Sequence, residues 1–206
     1  MLTDELLAGY GRYRRNIAGN QRKLERLARE GQSPTTLWVG CSDSRVIPEQ
    51  ITDADPGDLF VMRNIANFVP PYGRDDAVGA VIEFAVLQLG VKQIIVCGHS
   101  GCGGIVAMES KLEEQREPHL ARWIAQAGER LPRLPADMPE EQRLFETVKA
   151  NVLAQRDNLL TYPFVRQGVD EKRLKLFGCV YQIETGEVIA YVDGVAEWRP
   201  LPYHDD

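Results

Sequence analysis

The sequence predicts an α/β fold: three layers built on a mostly parallel β-sheet, four parallel strands plus an antiparallel edge strand, flanked by helices and preceded by a helical arm. Three observations carry this expectation. Short apolar, β-rich runs recur at "TTLWVG", "DLFVMRN", "QIIVCGH" and "RLKLFGCVYQI"; a helical stretch separates the second from the third; and the first three runs end in polar or glycine-rich residues. In such a sheet ligands gather beyond the carboxyl ends of the strands.

A single domain is expected over residues 1–206, with the arm at 1–30 and an α/β core at 31–206. Leu2, Leu6, Leu7, Tyr10, Tyr13 and Ile17 fall near helical spacing, and the basic "RKLERLARE" stops at Gly31, so the arm reads as one or two amphipathic helices. Such an arm packs on its own domain or wraps a partner subunit. In "AVGAVIEFAVLQLGV" length and periodicity indicate a helix, with Gly90 as its C-cap. Residues 109–163 read as helices divided by the three prolines of "LPRLPADMP". After the fourth strand, Thr185-Gly186 in "ETGEVIAYV" suits a hairpin turn into the antiparallel edge strand.

Bulk properties narrow the function. The 206 residues are 44% hydrophobic, enough for one sizeable core, and 30 acidic against 24 basic residues give a net charge of −6. General attraction to nucleic acid or to an anionic membrane is therefore not expected, and a small neutral or anionic molecule is. The first residues include Asp4 and Glu5 with no apolar signal core, and no run of about 18 apolar residues exists, so a soluble, cytoplasmic protein is expected. Four cysteines spread along such a chain favour metal or catalytic roles over disulfides.

The chemistry concentrates in "CSDSR" after the first strand and "HSGCGG" after the third. Cys41, Asp43 and Arg45 alternate by two, which places them on one side of a continuing extended chain. His99 and Cys102 lie on the turn into a helix expected from near Gly103. If the two strands are neighbours, thiolate, imidazole and thiolate meet in a zinc set whose fourth position is open to water or closable by a carboxylate. Arg45 offers Asp43 a two-pronged ion pair away from the metal.

Rival readings are weaker. Gly98-His99-Ser100-Gly101-Cys102 approaches a serine-nucleophile elbow but ends in Cys, and neither His119 nor His204 follows a strand as a general base should. A phosphatase-like loop at Cys41 wants an arginine further on, and the glycine fingerprint of a dinucleotide site is missing after the first strand. A structural zinc usually draws on paired Cys-x-x-Cys knuckles, whereas this set stands at the ligand-binding edge of a sheet beside an ionisable pair. Cys97 and Cys179, inside apolar strands, read as buried small hydrophobes.

These residues resemble the β-class carbonic anhydrases. The pairing of "CSDSR" with "GHSGCGG" about 55 residues later carries the resemblance, which extends through "FVMRNIANFVPP" and "AVIEFAVLQLGVKQIIVCGH". It implies a lyase, one Zn²⁺ per subunit on Cys41, His99 and Cys102, and reversible hydration of CO2 to bicarbonate and a proton by a zinc-bound hydroxide. Asp43 and Arg45 are implied as the catalytic dyad, with Asp43 a metal ligand in a closed, low-pH form. Gln32, from the subunit boundary, Phe60, Ile65, Phe84 and Gly103 are implied around the substrate; Phe84 lacks the phenol that relatives often carry there. Trp38, Arg63 and Tyr181 match the non-catalytic bicarbonate site of the regulated, type II subgroup, and a homodimer or dimer of dimers is implied. Hydrolysis of carbon disulfide or carbonyl sulfide on the same zinc, and non-catalytic zinc or bicarbonate sensing, are the alternatives.

Overall fold

The computed structural model describes residues 2–110, 112, 115–135 and 137–202. Strand β1 (Thr36–Cys41) is buried along its whole length, which its near-continuous apolar run requires of a central parallel strand. It pairs in parallel with β2 (Leu59–Asn64) on one side and β3 (Gln93–His99) on the other, and β3 pairs in parallel with β4 (Lys175–Tyr181). The chain leaves β1 in one direction and returns on its other side, so the carboxyl ends of β1 and β3 flank the switch point of the sheet.

Past β4 the sheet continues through antiparallel β5 (Val188–Val192) and β6 (Glu197–Pro200), in the order β2-β1-β3-β4-β5-β6. The expected single antiparallel edge strand is thus two. "EWRP" carries two charges and a proline and has no apolar alternation of its own. Its pairing with β5, with Tyr191 opposite Trp198 and their ring centroids 5.5 Å apart, makes it a strand.

The arm is two helices, α1 (Asp4–Asn16) and α2 (Gln21–Glu30), joined by a 3-10 turn. Thr3 caps α1 through its hydroxyl, and Asp4 and Glu5 at its start with Arg14 and Arg15 at its end suit the helix dipole. None of its side chains is buried in this chain: Leu6, Leu7, Tyr10 and Tyr13 are half or more exposed. Lys23 ties α2 to Asp55 and Asp58 beyond the short α3 (Pro48–Ile51), at 3.2 and 3.0 Å.

The helix expected over 77–91 is α4 (Asp76–Glu83) running into a π turn at Phe84–Gln88, and Gly90, at φ +65°, ends it. The N–H of Leu89 reaches back five residues to the Phe84 carbonyl. Such insertions recur at functional sites, and this one falls on Phe84. Helix α5 (Gly103–Glu109) begins where expected. The proline-broken region gives α6 (Pro118–Gly128) and α7 (Glu140–Leu159), followed by α8 (Pro163–Asp170).

The main core joins Leu37, Val39, Ile94, Val96 and Val180 of the sheet to α4, α5, α7 and α8. Helix α7 lies so close to β3 that a Cβ on Gly98 would meet Val148 and Val152 at 2.9 Å. The opposite face carries a smaller cluster, Trp38, Cys97 and Cys179, with Ile51, Val61, Ile95 and Tyr181 against it.

Candidate metal centre

Cys41 ends β1, His99 ends β3, and Cys102 sits on the turn that opens α5. All three are buried, and their ligand atoms lie within 4.8 Å of one another. This turn exists because Gly101 takes φ +60°, a conformation that side chains resist.

The imidazole of His99 is 0% exposed. Its Nδ1–H donates to the Ser100 carbonyl at 2.8 Å, while Nε2, also buried, has no partner. That arrangement turns the Nε2 lone pair toward the two sulfurs, as a metal-ligating histidine requires. The sulfurs of Cys41 and Cys102 are 3.9 Å apart. Two thiolates about 2.3 Å from one tetrahedral ion stand roughly 3.8 Å from each other, so the set fits zinc.

Electrostatics favour a thiolate here. The Cys102 thiol, 3.9 Å away and able to donate its S–H, brings the Cys41 thiol well below its ordinary range against the upward pull of burial. The charge on Cys41, with burial, pushes Cys102 upward. A cation bound between the two sulfurs would favour both thiolates.

Asp43 stands beside this set with Oδ2 3.8 Å from His99 Nε2. Arg45 grips it: Nε donates to Oδ1 at 2.9 Å, Nη2 to Oδ2 at 2.8 Å, and the Arg45 backbone N–H to Oδ1 at 3.0 Å. These bonds hold the carboxyl well below the usual carboxylate range. Arg45 Nη2 also donates to the Gly101 carbonyl at 3.1 Å, which ties the β1 loop to the β3 turn.

The other predicted residues divide. Phe60 and Phe84 stack with centroids 5.8 Å apart, and Ile65 is partly exposed on a turn after β2 that packs on the first turn of α5. Gly103 is exposed as the first residue of α5. Gln32 is exposed on the coil after α2, and among the described residues its side chain makes no hydrogen bond. Trp38 is 3% exposed with its indole N–H buried and unpartnered, and Tyr181 packs against its cluster. Arg63 donates through Nε to the Cys41 carbonyl at 2.8 Å and through Nη2 to the Asp43 carbonyl at 2.6 Å.

Ser100 is not arranged as a nucleophile. Its hydroxyl donates to Glu184 at 2.6 Å and accepts the Ile183 N–H at 2.9 Å, while His119 is an exposed residue of α6 facing Arg122; His204 lies outside the described residues. The partners in this support, Glu184 and the Ile183 N–H, carry no motif in the sequence. "HSGC" gave only the weakest sign, a serine that needed a role.

Fold and site together define the class: an α/β protein with a three-ligand, zinc-fitting centre at the switch point of a parallel sheet. The profile of the carbonic anhydrase family matches residues 36–188. The carbonic anhydrase of Pseudomonas aeruginosa is 39% identical over 195 residues, covering 93% of this chain and 88% of that one. The solved β-carbonic anhydrase CcaA superimposes with a TM-score of 0.88 at 32% identity, covering 97% of this chain and 92% of the other. One of two tetrameric β-carbonic anhydrases from Sordaria macrospora gives 0.73 at 34%, covering 91% and 92%. The chain belongs to the β-class carbonic anhydrase family, and its activity is the hydration of CO2. Among the described residues no helix is long and apolar enough to cross a membrane.

Proposed function

We propose that this protein is a bicarbonate-regulated, type II β-carbonic anhydrase, holding one zinc per subunit on Cys41, His99 and Cys102. When bound, zinc supplies the Lewis acidity that lets water ionise near neutral or mildly alkaline pH, less strongly beside two thiolates than beside three imidazoles. Asp43 accepts the hydrogen of the reacting water and aims the oxygen lone pair at carbon. Arg45 keeps that carboxylate charged and oriented, and the Ser100 carbonyl keeps His99 in the tautomer that ligates through Nε2. Phe60, Ile65 and Phe84 give CO2 an apolar wall, and Gly103 leaves the entrance of α5 free of a side chain.

The regulated reading rests on one observation: the Trp38 indole N–H is buried without a partner, over Gly40, in the cluster that Tyr181 joins. A buried donor left unpaired costs free energy, and a bicarbonate oxygen would satisfy it. Arg63, bridging the Cys41 and Asp43 carbonyls, completes the proposed site with Tyr181 and links an anion there to the loop that carries Asp43. With Arg63 drawn to an anion, that loop would lose two bonds, and Asp43, released from Arg45, would be the residue able to close the metal site in the low-pH form. The intact Asp43 and Arg45 pair favours catalysis over non-catalytic zinc or bicarbonate sensing.

A second copy completes the proposal. Leu6, Leu7, Tyr10 and Tyr13 of α1, together with Val61, Ile95 and Phe177 on the thinly covered sheet face, offer apolar surface, and Gln32 is free to reach a partner's pocket. We assign a homodimer, or a dimer of dimers, in the cytoplasm, where four free thiols are stable.

Stopped-flow CO2 hydration by zinc-replete protein, from about neutral to alkaline pH, tests the reading. Turnover that collapses toward neutral pH, inhibition by bicarbonate, and relief of both in Trp38→Phe are expected. Inhibition unchanged in Trp38→Phe would refute the regulated assignment.

A further inference from the structure

Helix α7 carries an unusual buried row. Asn151, Gln155 and Asn158 recur at one face of the helix and are 1%, 1% and 3% exposed, where a helix packed on a sheet ordinarily places leucine or valine. Each amide is satisfied. Gln155 Nε2 donates to Asn151 Oδ1 at 2.8 Å, Asn158 Nδ2 donates to Gln155 Oε1 at 3.1 Å, and Arg130 closes the row by donating to Asn158 Oδ1 at 2.7 Å.

The bonds that leave the row all go to one short piece of backbone. Asn151 Nδ2 donates to the Ala66 carbonyl at 2.9 Å, the Val69 N–H donates to Gln155 Oε1 at 3.1 Å, and Asn158 Nδ2 donates to the Val69 carbonyl at 2.9 Å. That backbone is strained. Ala66 sits at φ +61° and Asn67 at φ +46°, both in the left-handed region, and both are buried. Local sequence does not favour this conformation at alanine, so something outside must hold it.

What the turn delivers lies in the metal centre. The turn follows directly on Asn64, the register partner of Cys41, whose carbonyl accepts the Ser42 N–H at 2.9 Å, and Cys41, Ala66 and Cys102 are buried in one core cluster. The turn also packs against the helix that follows Cys102: a Cβ on Gly104 would meet the Ala66 Cβ at 2.9 Å, the Ile65 side chain at 3.0 Å and the Ala66 nitrogen at 3.1 Å. Ile65, next to Ala66, forms part of the proposed CO2 wall, and its carbonyl is held by Trp123 at 2.9 Å.

We propose that Asn151, Gln155 and Asn158 are positioning residues for the metal centre: the amide row clamps the left-handed Ala66-Asn67 turn, which in turn keeps Cys41 and Ile65 in working geometry. Groups that hold a ligand from outside typically change metal affinity ten- to a hundredfold when removed. A row of amides does this where leucines could not, because its targets are backbone N–H and C=O groups rather than apolar surface.

This rests on Cys41, His99 and Cys102 being the zinc ligands, and the test separates the two. Zinc release from the intact protein to a chromogenic chelator is timed for wild type, Asn151→Ala, Ala66→Gly and the double variant. Asn151→Ala is expected to release zinc about tenfold faster, and its cobalt-substituted form to shift the thiolate-to-metal charge-transfer band. Glycine accepts the left-handed turn without help, so in the Ala66→Gly background the same change should accelerate release by less than about threefold. A lower melting temperature with unchanged release and an unmoved band, or effects that simply add in the double variant, would overturn the proposal. Should Asn151→Ala fail to fold, Arg130→Ala decides: this exposed end of the row should speed release by about threefold, and no change would overturn the inference. Absence of zinc in the wild-type protein would instead overturn the ligand assignment.

Discussion

Arg45 donates to both oxygens of the Asp43 carboxylate, at 2.9 and 2.8 Å, while one of those oxygens stands only 3.8 Å from the His99 nitrogen that faces the metal centre. Asp43 thus stands between Arg45 and the metal centre and is bonded to Arg45 in this structure. Removing the guanidinium in Arg45→Ala should lower kcat/KM for CO2 hydration by about a hundredfold, with zinc content unchanged. Stopped-flow assay with metal analysis checks both halves of that statement.

The same bonds fix a sign for pH. The folded-state pKa of Asp43 is depressed, first by the side-chain hydrogen bonds from Arg45, so the pair stabilises the fold above the ordinary carboxylate pKa. That contribution is lost only as pH falls through the depressed value. Between about pH 9 and about pH 5, then, Asp43 stays ionised, and a fall in turnover toward neutral pH comes from the reacting water or a change of partner. Difference infrared spectra against Asp43→Asn should show no carboxylic-acid band arising in that interval; a band that titrates with activity would contradict this.

Ser100 predicts a dissociation of stability from activity. In Ser100→Ala the Ile183 N–H loses its acceptor and Glu184 its donor, and a half-buried orphan of this kind costs about 1–2 kcal/mol. Urea unfolding should show that loss. CO2 hydration should persist within about tenfold, since no step passes through the hydroxyl; complete loss would restore the nucleophile reading.

Gly40 has a steric reason to be glycine. A Cβ there would stand 2.7 Å from Trp38 Nε1, so Gly40→Ala must displace the indole. Overpacking of this sort destabilises by about 1–3 kcal/mol. Denaturant unfolding should report the cost, tryptophan fluorescence the displacement, and bicarbonate inhibition should weaken as it does in Trp38→Phe.

Zinc removal leaves three buried ligands without their common partner, with His99 Nε2 in particular unable to reach water. A ligand at about a thousand times its dissociation constant stabilises by roughly 4 kcal/mol, so calorimetry of chelated protein should show a melting temperature lowered by at least several degrees and restored by zinc. Restoration by magnesium would refute a thiolate site.

The local features were legible in the sequence because their causes are local. A six-residue apolar run can only be a buried strand in this setting, Gly101 marks a turn that other residues resist, and Cys-x-Asp-x-Arg with His-x-x-Cys names the donor set by its chemistry. The sheet's second antiparallel edge strand was not legible, since "EWRP" becomes a strand only through β5. Nor was the π turn at Phe84, which differs from an α-helix by one residue of backbone register and leaves no mark on hydrophobic periodicity.

By itself, then, the sequence determined the fold class, the four parallel strands and the donor types at Cys41, His99 and Cys102 that make them candidate ligands. Tertiary structure alone decided that β1 and β3 are neighbours, that Arg45 reaches the Gly101 carbonyl, and that amides from α7 reach a strained turn some 85 residues earlier in the chain. The division has one physical reason. Propensity, turn chemistry and donor type are properties of residues and their near neighbours, whereas distance between remote side chains is fixed only when the whole core closes and each buried polar group must find its partner.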